Sequence, residues 1–267
     1  MTEQDGLPGG GIREQRAERL GQVYTAHHAA HGRYGFSYRV ADRGPRFAAW
    51  IGTGQRVLDL GCRDGSLTQY YSSGNQVTGV DVDQEALALA RERLGIETVC
   101  VDLNREFPFE DGSFTVVVAG ELLEHLVNPV AVVQRVYRVL AQDGIFVGSV
   151  PNSFHWRGRL AFLRGRTLED PTHLHLFSQA RLIQLLQPFV PRSPSARGPG
   201  PVSAATGPRV GYQAVEIVPV GGIGGRALPV LPTWLAQWIV RGLPAWFAND
   251  FLFCATKRVI ICSKTYP

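Results

Sequence analysis

Two glycines and three carboxylates in the first third of the chain have the types and spacing that suit chemistry. The stretch VLDLGCRDGSL at 57–67 opens with an apolar run of the kind buried on both faces of a parallel sheet. Gly61 and Gly65 then bracket a tight turn, and Ser66 to Tyr71 read as the helix that follows. A strand, a glycine turn and a helix start together leave backbone N–H groups aimed at a ligand. A dinucleotide would want G-x-G-x-x-G, but Gly61, Arg63 and Ser66 hold those three positions. Asp64 at the helix start would also repel a pyrophosphate. A nucleoside without phosphates tolerates that carboxylate. Asp81 follows Gly61 by 20 residues and ends a second strand, VTGVD at 77–81, where an acid grips ribose hydroxyls. The plain alternative makes Gly61 a simple strand-to-helix turn and Asp81 a helix cap.

The order of further motifs goes beyond a turn. VLDLGCRDG, the GVD ending at Asp81, DLN at 102–104, ELLEHL at 121–126 and LAQDGIFVGSVPN at 140–152 resemble the motifs of class I S-adenosylmethionine-dependent methyltransferases. ELLEHL and GSVPN resemble the small-molecule branch of that superfamily, which includes ubiquinone-type O-methyltransferases and MetW-like proteins. The resemblance covers roughly residues 50–190. It implies an α/β fold, a doubly wound, mostly parallel, Rossmann-like seven-stranded sheet with helical and loop cap insertions. It also implies S-adenosyl-L-methionine as cofactor. The positions that match the cofactor site are Asp59, Gly61, Cys62, Arg63, Gly65, Asp81, Val82, Asp102, Leu103, Ala119 and Gly120. By the resemblance Asp59 sits near the amino end of the cofactor and Asp81 accepts from both ribose hydroxyls. Asp102 meets the adenine amino group, and Ala119 and Gly120 line the methionine half. Arg63 departs from the commoner glycine, and its side chain is expected to point outward.

Methyl transfer from a sulfonium is an in-line displacement whose leaving group needs no help. Acceleration then comes from alignment and the exclusion of water, so a catalyst is less legible than the cofactor site. A histidine takes a proton from a phenol or hydroxyl near neutral pH, and His125, His173 and His175 are the candidates. DPTHLHLF at 170–177 resembles the T-H-x-x-x-F stretch that faces substrate in related O-methyltransferases, which puts His173 first. For each of the three a structural role, bonding backbone or a neighbouring acid, stands beside the catalytic one. A nitrogen or carboxylate acceptor would need no base. His27 and His31 lie four apart on one helix face, but without a helical acid they read as a solvated surface. No metal ligands are assigned.

These residues need elements to hold them. The pattern predicts helices over Ile12–Ala30, Asp42–Ile51, Gln84–Leu94 (with Asp83 as N-cap and Gly95 past its end) and Pro129–Ala141. It predicts strands at Val77–Val80, Glu97–Val101, Phe114–Ala119 and Ile145–Val150, the last entered by an Asp143–Gly144 turn. Strands alternating with helices of this length indicate a parallel, doubly wound sheet. A short basic helix from Arg157, a helix at Gln179–Leu186, a strand at Tyr212–Val218 and a strand pair around Phe251–Ser263 follow. Residues 188–209, with six prolines, read as a long surface loop.

Composition sets the class. Hydrophobic residues at 45% and charged residues at 19% of 267 describe a globular chain with a core. The expected organisation is an N-terminal helical cap over 1–50 and a methyltransferase domain over 51–267, with substrate-cap insertions at about 151–211 and 221–250. The four cysteines show no C-x-x-C pairing and read as reduced core thiols, which suits a cytoplasmic protein. No signal peptide or membrane-spanning run is visible. Residues 54–150 hold 14 acidic and 7 basic side chains, whereas 185–267 hold 2 and 8. The basic, apolar C-terminal part suits an acidic or lipophilic partner. The apolar segment 228–240, with Trp234 and Trp238 on one face, either packs on the sheet or lines an acceptor pocket or touches a membrane. No arginine cluster with interleaved aromatics points to nucleic acid. The expected function is methylation of a small molecule, most readily at oxygen, with oligomeric state open. The alternatives are a non-catalytic, cofactor-binding partner subunit of the MetW-like type and a dinucleotide oxidoreductase, which the missing glycines and Asp64 count against.

Overall fold

Strands form where apolar and β-branched residues run together, and those runs are the buried ones. The computed structural model describes residues 10–105, 107–166, 172–187, 209–220, 238 and 242–260. Val57, Leu58 and Leu60 of β1 (Arg56–Leu60), Val77 and Val80 of β2 (Gln76–Asp81), and Val116–Ala119 of β4 (Phe114–Gly120) are all buried. With β3 (Glu97–Cys100), β5 (Leu140–Pro151), β6 (Arg209–Val220) and β7 (Asp250–Ile260) they make one seven-stranded sheet in the order β3-β2-β1-β4-β5-β7-β6. β1 and β2, and β2 and β3, pair parallel, whereas β7 runs antiparallel to both β5 and β6. The order reverses between β1 and β4, and ligands of open α/β sheets bind beyond the strand ends at such a switch point.

The chain falls into two compact units: Met1–Pro108 with Val118–Gly120, and Phe109–Val117 with Glu121–Pro267. In the first, α1 (Gly10–Ala30) and α2 (Val40–Ile51) precede β1, and α3 (Gln84–Leu94) joins β2 to β3. α3 has the expected bounds because its caps are strong: the Asp83 carboxylate accepts from Glu85 and Ala86 N–H, and Gly95 turns left-handed at φ 65°. The helix expected from Ser66 is absent, and in its place one 3₁₀ turn spans Thr68–Tyr70. Three residues per turn eclipse positions i and i+3, so Thr68 and Tyr71 point the same way, onto Asp59. The anion-binding helix start inferred from the sequence is thereby removed.

In the second unit, α4 (Pro129–Val139) is capped by Asn128, α5 (Trp156–Leu163) by His155 and α6 (Gln179–Leu186) by Ser178. β5 begins directly after α4, with Asp143 left-handed at φ 60° inside it, so Asp143–Gly144 is an irregularity within the strand rather than a turn before it. The expected terminal strand pair is one long strand, β7, which lies between β5 and β6 and satisfies both its edges. Phe146, Phe253 and Tyr212 stack in its core. Cys100 is exposed rather than a core thiol. Cys262, the loop at 188–208 and most of the segment 221–241 lie outside the described residues.

Candidate functional site

Beyond the C-terminal end of β1, in the first unit, the chain makes a cradle from backbone. Gly61 takes φ 70° and its N–H and that of Cys62 both donate to the Val80 carbonyl, at 2.7 and 3.1 Å. Arg63 is also left-handed, at φ 49°, which costs a non-glycine residue about 1 kcal/mol or more. That conformation aims its N–H at Asp81 Oδ2, 3.0 Å away. The guanidinium does not point outward: it folds back to donate to the Arg33 carbonyl, and burial lowers its pKa. The Asp81 carboxylate also accepts Val82 and Asp83 N–H at 2.8 and 3.0 Å, both on Oδ1. Burial pushes its pKa up against those three bonds. Asp81 is therefore a fixed acceptor at the strand end, and Oδ2 keeps a lone pair for a hydroxyl.

Each remaining candidate has a definite place. Asp102 accepts from Asn104 on Oδ1 and pairs with Arg105 at 3.4 Å through Oδ2, a carboxylate held at the start of its loop. Leu103 is buried. Val82 is half-buried, with its carbonyl against Gly21 of α1. A Cβ on Gly65 would stand 2.5 Å from Leu94 Cδ1 and one on Gly120 2.6 Å from Leu67 Cδ2. These two glycines make room for packing, and Gly65 needs its φ of 76° besides. The Cys62 thiol fills the space left by Gly79, so a ligand meets its backbone alone. Ala119 is fully buried, which leaves its backbone likewise. Asp64 is tied by Ser66, Gly35 N–H and Arg93. A shallow groove of about 430 Å³ lies where β1 and β2 begin, lined by residues such as Arg56 and Asn75. It sits at the opposite strand ends from Gly61 and Asp81, away from this chemistry.

Asp59 is the buried carboxylate beneath the cradle. Thr68 and Tyr71 hydroxyls both donate to its Oδ2 at 2.7 Å. Burial raises its pKa from an ordinary 3.8 to about 6, Asp81 adds repulsion, and the two hydroxyls work the other way. A carboxyl raised on folding stabilises the fold fully below its unfolded pKa, and that contribution is lost as pH rises through the folded one. The unliganded protein should therefore lose about 2–3 kcal/mol between pH 4 and 7 through Asp59. Urea unfolding of the wild type and Asp59→Asn across that range checks this, and parallel pH profiles would refute it.

Sequence reasoning missed Arg43, a fully buried cation on α2. Its Nη2 donates to Ser37 Oγ and the Tyr38 carbonyl, and its Nη1 lies 3.6 Å from the Cβ position of Gly120. Arg43, Phe47 and Ile51 recur every four residues on the buried face, so a cation in an apolar stripe was the available signal.

In the second unit the structure brings two of the three histidine candidates together. His125 ends a 3₁₀ turn over Leu123–His125, and its ring lies 4.8 Å from that of His173, edge to face. Leu174 and His175 N–H both donate to the Glu124 carbonyl, at 2.8 and 3.1 Å, which fixes the DPTHLHLF segment against the ELLEHL turn. His175 is half-buried and does not join the pair. Glu124, fully buried, had been passed over in favour of the histidine after it. His27 and His31 of α1 stack at 4.3 Å, with His31 Nδ1 on the His27 carbonyl.

The cradle lies within a stretch that matches a known kind of domain. A family profile described as a methyltransferase domain matches residues 58–148, which run from β1 through the cradle and the ELLEHL turn into β5. The chain carries a methyltransferase domain over those residues. That domain is 32% identical over 136 residues to a probable S-adenosylmethionine-dependent methyltransferase of Mycolicibacterium smegmatis, covering 50% of this chain and 51% of that protein. It is 40% identical over 103 residues to the ubiquinone biosynthesis O-methyltransferase of Bordetella pertussis, covering 36% and 42%. The chain thus spans about half the length, or less, of these curated relatives. In solved structures, the methyltransferase fold superposes on a SAM-dependent methyltransferase from Archaeoglobus fulgidus with a TM-score of 0.55 at 16% identity, over 79% of this chain and 90% of that one. It also superposes on the Burkholderia thailandensis 1,6-didemethyltoxoflavin-N1-methyltransferase, solved with S-adenosylhomocysteine, at TM-score 0.54 and 17% identity, over 96% and 93%.

Proposed function

We propose that this protein transfers a methyl group from S-adenosylmethionine to an oxygen of a small molecule. The observation that carries the reading is the Asp81 carboxylate, fixed by three backbone N–H groups at the end of β2 with a lone pair left for ribose. Asp59 and Arg43 bring one acid and one buried cation to the same unit, a pair suited to an amino acid's ammonium and carboxylate. Asp102 would take the adenine amino group, and the backbones of Ala119 and Gly120 the methionine chain. Bound there, the cofactor supplies a methyl group activated by its sulfonium. The helical segment before β1 acts as a cap, and the insertions at about 151–211 and 221–250 serve the acceptor. On the acceptor side His125 and His173 face each other, and the name of the Bordetella relative favours an oxygen acceptor.

Calorimetry with S-adenosylhomocysteine and NAD, followed by methyl-transfer assays on phenols and catechols, tests the reading. Binding of the first ligand alone, with turnover, supports it. Cofactor binding without turnover on any acceptor would favour the non-catalytic partner subunit, and tight NAD binding would overturn both.

A lipophilic acceptor is supported by the second unit's surface. Phe162 and Leu163 of α5 are 75% and 82% exposed, beside Arg157, Arg159, Arg164 and Arg166. Trp238 is 70% exposed, which supports the reading in which this side chain meets an acceptor or membrane rather than the sheet. No helix among the described residues is long and apolar enough to cross a membrane. Trp238→Ala should shift the melting temperature by no more than about 1 °C, far from the ~3–5 kcal/mol cost of a buried tryptophan, and weaken binding to anionic liposomes. A strongly destabilised variant would return Trp238 to the core.

A further inference from the structure

We propose that Arg63 is a positioning residue that ties the connector between α1 and α2 to Asp81, so that nucleoside binding and the order of that connector rise and fall together. The inference rests on the S-adenosylmethionine reading and deepens it. A glycine would hold the left-handed φ of 49° without strain, so the turn by itself gives no reason for an arginine. The reason lies in where its two ends reach. The backbone N–H donates to Asp81 Oδ2 at 3.0 Å, the oxygen with a lone pair left for a ribose hydroxyl. The guanidinium donates through Nη2 to the Arg33 carbonyl. Its Nε is buried with no hydrogen-bond partner among the described residues, and such buried unpaired donors call for a reason beyond packing. Burial lowers the guanidinium's pKa, and the carboxylates of Asp64, Asp81 and Asp83 oppose that, so the cation sits among the three acids of the cradle.

Three successive connector residues are stitched to those acids and to Arg63. Arg33 offers its carbonyl to the Arg63 side chain, the Tyr34 hydroxyl donates to Asp83 Oδ2 at 2.9 Å, and the Gly35 N–H donates to Asp64 Oδ2 at 2.5 Å. Asp83 in turn gives its own N–H to Asp81 Oδ1 at 3.0 Å. Apolar burial adds little, since Phe36 and Tyr38 are exposed and Arg33 and Tyr34 only partly buried.

A segment held by polar bonds with few buried apolar contacts opens more readily than the sheet. Arg63 is the residue through which such an opening reaches Asp81. Once the Arg33 carbonyl leaves, the guanidinium loses its anchor and the left-handed turn is free to relax. Asp81 Oδ2 then loses the N–H that orients it. By linkage, a ligand that needs the oriented carboxylate stabilises the closed connector by the same factor.

The test compares the full wild-type chain with Arg63→Gly and Arg63→Lys, using calorimetry with S-adenosylhomocysteine and amide exchange followed by mass spectrometry. Wild-type residues 31–38 should exchange at least tenfold more slowly with the ligand bound. Glycine suits the φ of the turn, so Arg63→Gly should fold while losing the side chain. Its affinity should fall about tenfold, and its ligand-free exchange over 31–38 should rise at least tenfold, with exchange from β4 unchanged. A single donor suffices for a carbonyl, so Arg63→Lys should return affinity to within threefold of the wild type, a rescue that a general loss of packing would not show. Arg63→Gly binding as tightly as the wild type, or showing unchanged exchange over 31–38, would overturn the proposal. Failure of the wild type itself to bind S-adenosylhomocysteine would sink the cofactor reading instead, and ligand-free exchange in Arg63→Gly would still decide whether Arg63 holds the connector.

Discussion

His173→Ala is expected to lower turnover by ~10²–10⁴-fold while leaving S-adenosylhomocysteine affinity unchanged. The residue is half-buried, its ring is packed against His125, and its backbone is held by neighbours bound to Glu124. Removing the imidazole leaves that backbone pairing in place, so the fold should survive. Steady-state kinetics beside calorimetry separate the outcomes. Loss of both activities would mean that His173 holds the fold, and a drop below tenfold would pass the role to His125 or His175.

Asp81→Ala should weaken S-adenosylhomocysteine by ~1.5–3 kcal/mol, the range for losing charge-assisted hydrogen bonds to ribose. It should also lower the melting temperature, because Arg63, Val82 and Asp83 N–H lose their shared acceptor. The two effects separate in a titration run well below the variant's melting point. Unchanged affinity in folded variant would remove Asp81 from the site.

What was legible in the sequence follows from what kind of interaction each feature uses. The strands of the sheet, α3 and the Gly61–Asp81 spacing were readable because period, caps and backbone conformation are local properties. The 3₁₀ turn was not, because Ser66–Tyr71 has ordinary helix formers. What shortens the helix is the demand of Asp59, seven residues upstream of Ser66, for two hydroxyls on one side. Arg63 was misjudged for a similar reason: its partner is the Arg33 carbonyl, thirty residues away. Glu124 stayed in the shadow of His125, since nothing in ELLEHL says which acid is buried. The single long β7 depends on two partners on opposite edges, which no window of sequence contains.

One carboxylate also sets how α1 comes loose. Among the described side chains of α1, only Gly21 and His28 are buried, and Val23 is 64% exposed. The helix is held by Thr25 and His28 on Asp83, joined by Tyr34 just past its end, at 2.8–2.9 Å. Detaching its described part breaks polar bonds and exposes little apolar surface, and apolar exposure is what gives unfolding its positive heat capacity. Release of α1 should therefore carry a nearly constant enthalpy. Amide exchange from α1 would report a free energy falling in a straight line on warming, while the sheet follows a curved one.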